Sequence, residues 1–441
     1  MTIKVAKFGG SSLADAGQYQ KVRSIVLSDD TRKFIVPSAP GKRHREDIKI
    51  TDLLYLCHAQ VSHRVPFGEI FRIIADRYLQ IARELAIDFD MKQVLDDTRE
   101  QISAGANLDY VVSRGEYLNG LLLAHFLECD FLDAATVIRF KADHSVDAEA
   151  TASAMDTAVA GKSRVVIPGF YGALPDGSIK IFPRGGSDIT GAVVARAVGA
   201  SIYENWTDVS GFLVTDPGIV PESQPIHTIT YRELRELSYM GAQVLHEETI
   251  FPVLEAGIPI NIKNTNEPEN PGTMIVSYAD AVTPRGTITG IAGRKDFTVI
   301  AIEKNLMKRE MGFVRRLLTI LEQLQIRFEH MPSGIDTLSL VIPSSELNGK
   351  LDQLLEEIHL QCQPDLLEVY PHMALIATVG HGMAYTPGIS SRLFTALYNA
   401  GINVRMIDQG SSEINIIVGV ENKDFEKAVS AIYRAFFSTS A

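Results

Sequence analysis

Five short clusters in this sequence combine residue types that could bind and transfer an anionic group. Lys7-Phe8-Gly9-Gly10-Ser11-Ser12 stands where an apolar run ends and a helical pattern begins. Glycines at such a junction let backbone N–H groups approach an anion, and the helix N-terminus adds partial positive charge. Lys7 brings an ammonium to the same place. Arg184-Gly185-Gly186-Ser187-Asp188, again ahead of a helical pattern, adds a guanidinium, a hydroxyl and a carboxylate. The plainer readings are a glycine turn with Lys7 in water, and a helix cap in which Asp188 pairs with Arg184. Two such loops at two junctions favour a site for a phosphate together with a carboxylate.

Three further clusters fit that site. Ser113-Arg114-Gly115-Glu116 is expected to open a helix, where Glu116 would otherwise serve only the helix dipole. Trp206-Thr207-Asp208-Val209-Ser210-Gly211, with Thr215-Asp216-Pro217 beyond it, follows a strand end, the place where open α/β sheets bind ligands. Lys263-Asn264-Thr265 follows another strand. For both loops a solvated polar turn is the plainer explanation. Familiar nucleotide motifs are absent: Gly161-Lys162-Ser163 has Asp156 where a P-loop needs its first glycine, and no G-x-G-x-x-G follows a strand. His58 and His63 face different directions on one helix, so they read as surface or packing residues.

Holding these clusters calls for a parallel sheet. Short apolar runs predict strands over residues 3–8, 34–36, 202–206 and 259–262, and a strand entering a turn over 165–170. Helical patterns cover 51–61, 67–85, 91–101, 116–127, 189–198, 231–240 and 248–256, and Tyr19, Val22, Ile25 and Val26 mark one face of an earlier helix. Strands separated by helices predict one large α/β domain over residues 1–285, its sheet covered on both faces. The charged stretch 42–49 reads as a mobile loop.

The chain has 441 residues, enough for two to four domains. Hydrophobic residues make up 46% and charged ones 22%, which excludes wholesale disorder. A net charge of −12 repels phosphate backbones, so no nucleic-acid partner is expected and an anionic substrate must be held by a few placed cations and amides. Cys57, Cys129 and Cys362 lie far apart, which fits a reducing compartment. The N-terminus reaches Gly9-Gly10 too soon for a secretory signal, and no run is long and apolar enough to span a membrane. A cytoplasmic protein is expected.

Beyond a linker at Thr283-Pro284-Arg285-Gly286 the sequence repeats itself. Gly312 matches Gly388, an offset of 76 (388 − 312), and the same offset pairs Arg316 with Arg392, Leu317 with Leu393 and Gly334 with Gly410. Each copy reads strand, helix, strand, strand, helix. The first has a closing strand at 366–370, whereas the second lacks one and is expected to borrow a spare strand at 288–292. The first copy (293–371) is then inserted in the second (286–292 plus 372–441), each a βαββαβ, ferredoxin-like sandwich.

Taken in order, the Lys7, Arg184 and Trp206 clusters, Asp216-Pro217 and Gly241-Ala242-Gln243-Val244-Leu245-His246 resemble the aspartokinase family. The resemblance covers nearly the whole chain, and the paired C-terminal units resemble that family's ACT domains. It implies an amino-acid-kinase-type parallel-sheet sandwich followed by two ACT units, in a monofunctional enzyme. The implied reaction moves a phosphoryl group from ATP, with Mg2+ carried on the nucleotide, to the β-carboxylate of L-aspartate. By resemblance Lys7 and Asp188 are catalytic. Lys7, Gly9, Gly10, Ser11, Thr207, Asp208, Gly211, Phe212, Leu213, Asp216, Lys263 and Asn264 bind ATP, and Ser38, Thr51, Glu116, Arg184 and Ser187 bind aspartate. Leu213 stands where the family commonly has an aromatic, and Gly218 where it often has a basic residue.

An effector amino acid is expected at Met307, Gly312, Phe313, Val314, Met331, Ser333 and Asp336. Lysine is the first choice, with Glu329, Asp336 or Glu310 for its ε-ammonium, and threonine, alone or with lysine, is the alternative. Apolar strands such as 414–420, read as exposed edges, suggest a homodimer through the ACT units. Competing readings are a kinase of glutamate, N-acetylglutamate or a nucleotide on the same fold, and an inactive amino-acid sensor.

Overall fold

A computed structural model describes residues 2–183, 185–242, 251–277 and 288–437. The chain divides into two compact units. The first comprises Met1–Phe212, Pro225–Arg232 and Gln243–Val282, and the second Leu213–Gln224, Glu233–Ala242 and Thr283–Ala441.

Among the described residues the first unit is built on an eight-stranded sheet. Its order is Thr228–Thr230, Thr273–Val276, Ile260–Asn264, Ile202–Thr207, Lys4–Phe8, Arg32–Pro37, Val165–Val166, Asp130–Phe131. Every pairing is parallel except that of Ile260–Asn264 with Thr273–Val276. Lys4–Phe8 is fully apolar apart from its two lysines, as a strand with neighbours on both sides should be. Helix Ala16–Leu27 buries Tyr19, Val22, Ile25 and Val26, the predicted face, and Asp15 caps it by accepting from Gln18 N. Helices Leu108–Leu127 and Gly186–Ala197 pack on the central strands. The apolar core runs through Leu13, Leu54, Ile74, Leu118 and Leu122, each worth about 1.5–3 kcal/mol of burial.

Two expectations change here. Ser113-Arg114-Gly115-Glu116 does not open a helix. The helix starts at Leu108, capped by Asn107, whose side chain accepts from Tyr110 N, so Glu116 lies more than two turns inside it. Gly115 interrupts the helical pattern in the sequence but not in the fold. The charged stretch 42–49 is no loose loop either. Arg43 and the buried Arg77 both pair with Asp47, and Arg77 also donates to Gly41 O (2.9 Å).

In the second unit the described residues form a five-stranded antiparallel sheet in the order Thr337–Pro343, Gly290–Glu303, Leu366–Val379, Asn415–Glu421, Met406–Asp408. The spare strand at 288–292 is the beginning of the long strand Gly290–Glu303, which continues as the first strand of the first copy. It runs antiparallel to Leu366–Val379, with Gly290 opposite Val379 at one end and Glu303 opposite Leu366 at the other, and the register shifts near Phe297. Helices Phe313–Gln323, Leu351–Cys362, Ile389–Asn399 and Phe425–Phe437 complete the two repeats. The strand expected as an exposed edge, Asn415–Glu421, is central, paired on both sides. That burial accounts for its apolar run and removes the argument for dimerisation drawn from it. Segments 213–224 and 233–242 are tied in by Val214 O, which accepts from Ile291 N (2.6 Å), and by Glu233, which takes Thr289 Oγ1 (2.6 Å) and His381 N (2.7 Å).

Candidate active site

Three strands of the first unit end side by side: Lys4–Phe8, Ile202–Thr207 and Ile260–Asn264. The turn Gly10–Leu13 leaves the first of them, and Gly10 is needed there because a Cβ would lie 2.9 Å from Ala39 O. Lys7 is 6% exposed; its ammonium pairs with Asp188 and lies 3.4 Å from Asn205 Oδ1. Asn205 Nδ2 donates to Asp188 Oδ1 (2.9 Å), and Tyr203 OH donates to the Asp188 carbonyl (3.0 Å). Strand alternation puts Tyr203 and Asn205 on one face, so both reach Asp188 from the same strand. Helix Gly186–Ala197 enters through Gly185, whose φ of 79° suits a residue without Cβ.

Glu116 is 4% exposed. Burial pushes its carboxyl up to about 8, against hydrogen bonds from the Ala39 backbone, its own backbone and the Ser187 hydroxyl. Its Oε2 has no hydrogen-bond partner among the described residues. Because Ser187 touches Glu116 while Asp188 touches Lys7, one dipeptide links a buried acid to a buried ammonium. Asn119, one turn beyond Glu116, donates to Ser38 O (2.5 Å) and accepts from Tyr19 OH. Ser38 and Thr51 are half-buried, Thr51 at the start of helix Ile50–Ser62. Arg184 lies outside the described residues, as do Gln243-Val244-Leu245-His246 and the linker 283–286.

Around the other two strand ends, Thr207 Oγ1 donates to Asp208 Oδ1 (3.2 Å), and Asn264 Nδ2 donates to Ser210 Oγ (3.0 Å). Lys263 Nζ stands 5.1 Å over the Trp206 ring, and burial lowers its pKa. That ring is fixed by Nε1 donating to Glu204 Oε2 (2.9 Å), itself paired with Arg32. Gly211 packs on Thr273, and the Phe212 side chain is buried. Leu213, 40% exposed, and Asp216, which accepts from Gly218 N (2.8 Å), belong to the second unit. Among the described residues no group of three His, Cys, Asp or Glu side chains is placed to hold a metal ion. No described helix is long and apolar enough to cross a membrane.

Of the expected effector residues, Met307, Phe313 and Met331 share one apolar cluster, with Met307 and Phe313 buried in it. They offer backbone rather than side chain. Gly312, at φ 84°, precedes helix Phe313–Gln323, and Val314 is 38% exposed. Ser333 is exposed and bridges to Leu338; Asp336 O accepts from Lys304 N (2.8 Å). Two of the three acids considered for a lysine side chain are already engaged: Glu310 by Lys304 (3.0 Å) and Arg316, Glu329 by Arg294 (3.4 Å). Asp336 makes no ion pair among the described residues.

The residues that sequence reasoning missed are Asn205, Tyr203 and Asn119. Adjacent polar side chains, Glu204-Asn205, inside a central parallel strand were the available signal for Asn205, since such strands are otherwise apolar.

A parallel sheet whose strand ends gather glycine turns, a buried lysine and its aspartate is the architecture of amino acid kinases. The profile of the amino acid kinase family matches residues 2–264, and an ACT domain profile matches 376–436. Aspartokinase 3 of Bacillus subtilis (strain 168) is 37% identical, covering 99% of each chain. The solved aspartate kinase of Clostridium acetobutylicum is 55% identical with a TM-score of 0.94, covering 99% of this chain and 100% of its own. E. coli aspartokinase III is 26% identical and covers 99% of this chain and 100% of its own; with aspartate and ADP (R-state) the TM-score is 0.72, with lysine and aspartate (T-state) 0.77. The chain belongs to the aspartokinase family, and the enzyme is an aspartate kinase.

Proposed function

We propose that the enzyme transfers the γ-phosphoryl group of MgATP to the β-carboxylate of L-aspartate, forming 4-phospho-L-aspartate and ADP in the cytoplasm, as the first step toward lysine, threonine and methionine. One observation carries the substrate assignment: the buried Glu116 carboxyl, with an oxygen that no group among the described residues satisfies, joined through Ser187-Asp188 to the Lys7 ammonium. A buried acid of this kind needs a cation, and the α-ammonium of aspartate is one. Lys7 and the amides of Gly10 and Ser11 hold the phosphates, where positive charge stabilises the in-flight group, while the Gly9 amide is taken by Trp206 O (2.9 Å). Asp188 holds Lys7 in place, while Lys263, Asn264, Thr207 and Asp208 border the nucleotide. Ser38, Thr51, Arg184 and Ser187 take the substrate's carboxylates. Mg2+ on the nucleotide adds charge neutralisation. The nucleophile is already ionised at neutral pH, so no strong base is required. The free cysteines Cys57, Cys129 and Cys362 agree with a reducing compartment. ADP release with aspartate, glutamate and N-acetylglutamate tests the assignment: N-acetylglutamate lacks the ammonium that Glu116 meets, and turnover of it in preference to aspartate would defeat the reading.

For the regulatory part we take the catalytic domain as 1–285 and the two ACT units with the boundaries given above. The effector is lysine at the first unit, held by the amides after Gly312 and by Asp336, in line with the lysine complex of E. coli aspartokinase III. Threonine is the second reading, favoured by the prior engagement of Glu310 and Glu329. Titrating activity with lysine, threonine and methionine separates the two. Two copies pair through the second unit, where Tyr398 is 80% exposed and Ile407 on the terminal strand 54% exposed; Ile407→Lys should then shift the mass measured by light scattering to that of one chain.

A further inference from the structure

We propose that Thr265 is a positioning residue for phosphoryl transfer: its hydroxyl, bonded to that of Ser12, clamps the turn Gly10–Leu13 to the loop that follows Ile260–Asn264. The two oxygens lie 2.7 Å apart, from residues only 2% and 1% exposed and 253 positions apart in the chain. Two backbone bonds continue the lacing. Thr265 N donates to Thr207 O (2.9 Å), and Gly9 N donates to Trp206 O (2.9 Å). Three neighbouring strand ends are thus tied together just past their last paired residues, Phe8 with Trp206 and Thr207 with Asn264.

Both residues are buried, and each hydroxyl already has the other as its partner. What the bond fixes is the turn. Ser12 N closes that turn on Gly9 O (3.0 Å), and the N–H groups at its start, those of Gly10 and Ser11, have no partner within it. Their direction follows from where Ser12 is held. Loss of one hydroxyl leaves the other buried and unsatisfied, which favours a shifted turn. Transfer between two bound substrates is sensitive to such shifts, with about 100-fold lost for ~1 Å.

The inference rests on the reading that this turn holds the ATP phosphates, and the test keeps the two apart. Steady-state kinetics and binding of MgADP, followed through Trp206, the chain's single tryptophan, are measured for Thr265→Val, Thr265→Ser, Ser12→Ala, the Ser12→Ala/Thr265→Val double variant and Lys263→Met. Thr265→Val should raise the KM for ATP and the Kd for MgADP about ten-fold and lower kcat, leaving the KM for aspartate within about two-fold. Thr265→Ser should restore both, and the double variant should be no worse than either single one, because one clamp is lost once. Should Thr265→Val fail to fold, Ser12→Ala removes the same bond with a smaller change. Wild-type nucleotide constants in Thr265→Val or Ser12→Ala, beside weakened ones in Lys263→Met, would overturn the clamp and keep the site. Failure of Thr265→Ser to rescue would also overturn it, by showing that the methyl group and not the hydroxyl matters. Unchanged constants in all variants, Lys263→Met included, would overturn the nucleotide reading itself.

Discussion

Aspartate binding should depend steeply on pH, because Glu116 must give up a proton to receive an ammonium. Its carboxyl is raised from the ordinary 4.5 to about 8 by burial. With the substrate's ammonium against it, the carboxylate form is favoured again. The penalty on binding is then the fraction of enzyme that must first ionise, a factor of about 100 at pH 6, about 10 at pH 7 and about 2 at pH 8. The KM for aspartate should therefore fall by about 50-fold from pH 6 to pH 8, while that for ATP stays level. Glu116→Gln cannot ionise; its KM for aspartate should be about 100-fold higher, from some 3 kcal/mol of lost charged hydrogen bonding, and flat with pH. Stability gives an independent measure. A pKa raised on folding is a contribution present below the unfolded value and lost as pH rises through the folded one. Wild type should thus lose about 5 kcal/mol relative to Glu116→Gln between pH 4.5 and 8. ADP release under varied aspartate, with denaturant unfolding of both proteins at each pH, provides both curves. A KM for aspartate that is level from pH 6 to 8 in the wild type, or a slope that survives in Glu116→Gln, would refute the reasoning.

Lys7→Ala should lower kcat by about three orders of magnitude with the fold intact, as expected for losing a cation beside the transferred phosphoryl group; near-normal turnover in a well-folded variant would remove Lys7 from the mechanism. Asp47→Asn should release the loop 42–49, costing about 2 kcal/mol of local opening and speeding tryptic cleavage after Lys42, Arg43 or Arg45 roughly 30-fold. Burial works against the Asp47 carboxylate, but hydrogen bonds from Arg43 and the charges of Arg77 and Arg43 hold it well below the usual range. The clasp should accordingly persist at pH 5 and fail only as pH falls through that depressed value, which limited proteolysis at graded pH would show. Asp336→Asn should weaken inhibition by lysine about ten-fold and leave inhibition by threonine alone; equal loss for both would place Asp336 in the fold and not in the site.

The sequence by itself determined the central strands of the first unit and most of the helices between them, because parallel strands are short apolar runs and their helices keep one apolar stripe, as Val5-Ala6 and Tyr19, Val22, Ile25, Val26 do; the short strands Asp130–Phe131, Thr228–Thr230 and Thr273–Val276 carry too few residues to show a period. It also pointed to the loops proposed to bear chemistry, since glycines, a lysine and carboxylates at strand ends have few structural uses in such density. The repeat was legible too, as matched glycines and apolar positions at a fixed offset. Only the tertiary structure decided how deep these groups lie. Glu116 looked like a helix-opening acid until the helix proved to begin at Leu108, which buries it and raises its pKa. Asn205, Asn119 and the Ser12–Thr265 bond join residues up to 253 positions apart, and no local pattern announces a partner at that separation. The same holds for the strand Asn415–Glu421: its apolar run shows that it is covered, while only the sheet order shows that its own chain covers it. Burial and hydrogen-bond partnership are properties of pairs brought together by folding, whereas period and propensity belong to the segment alone.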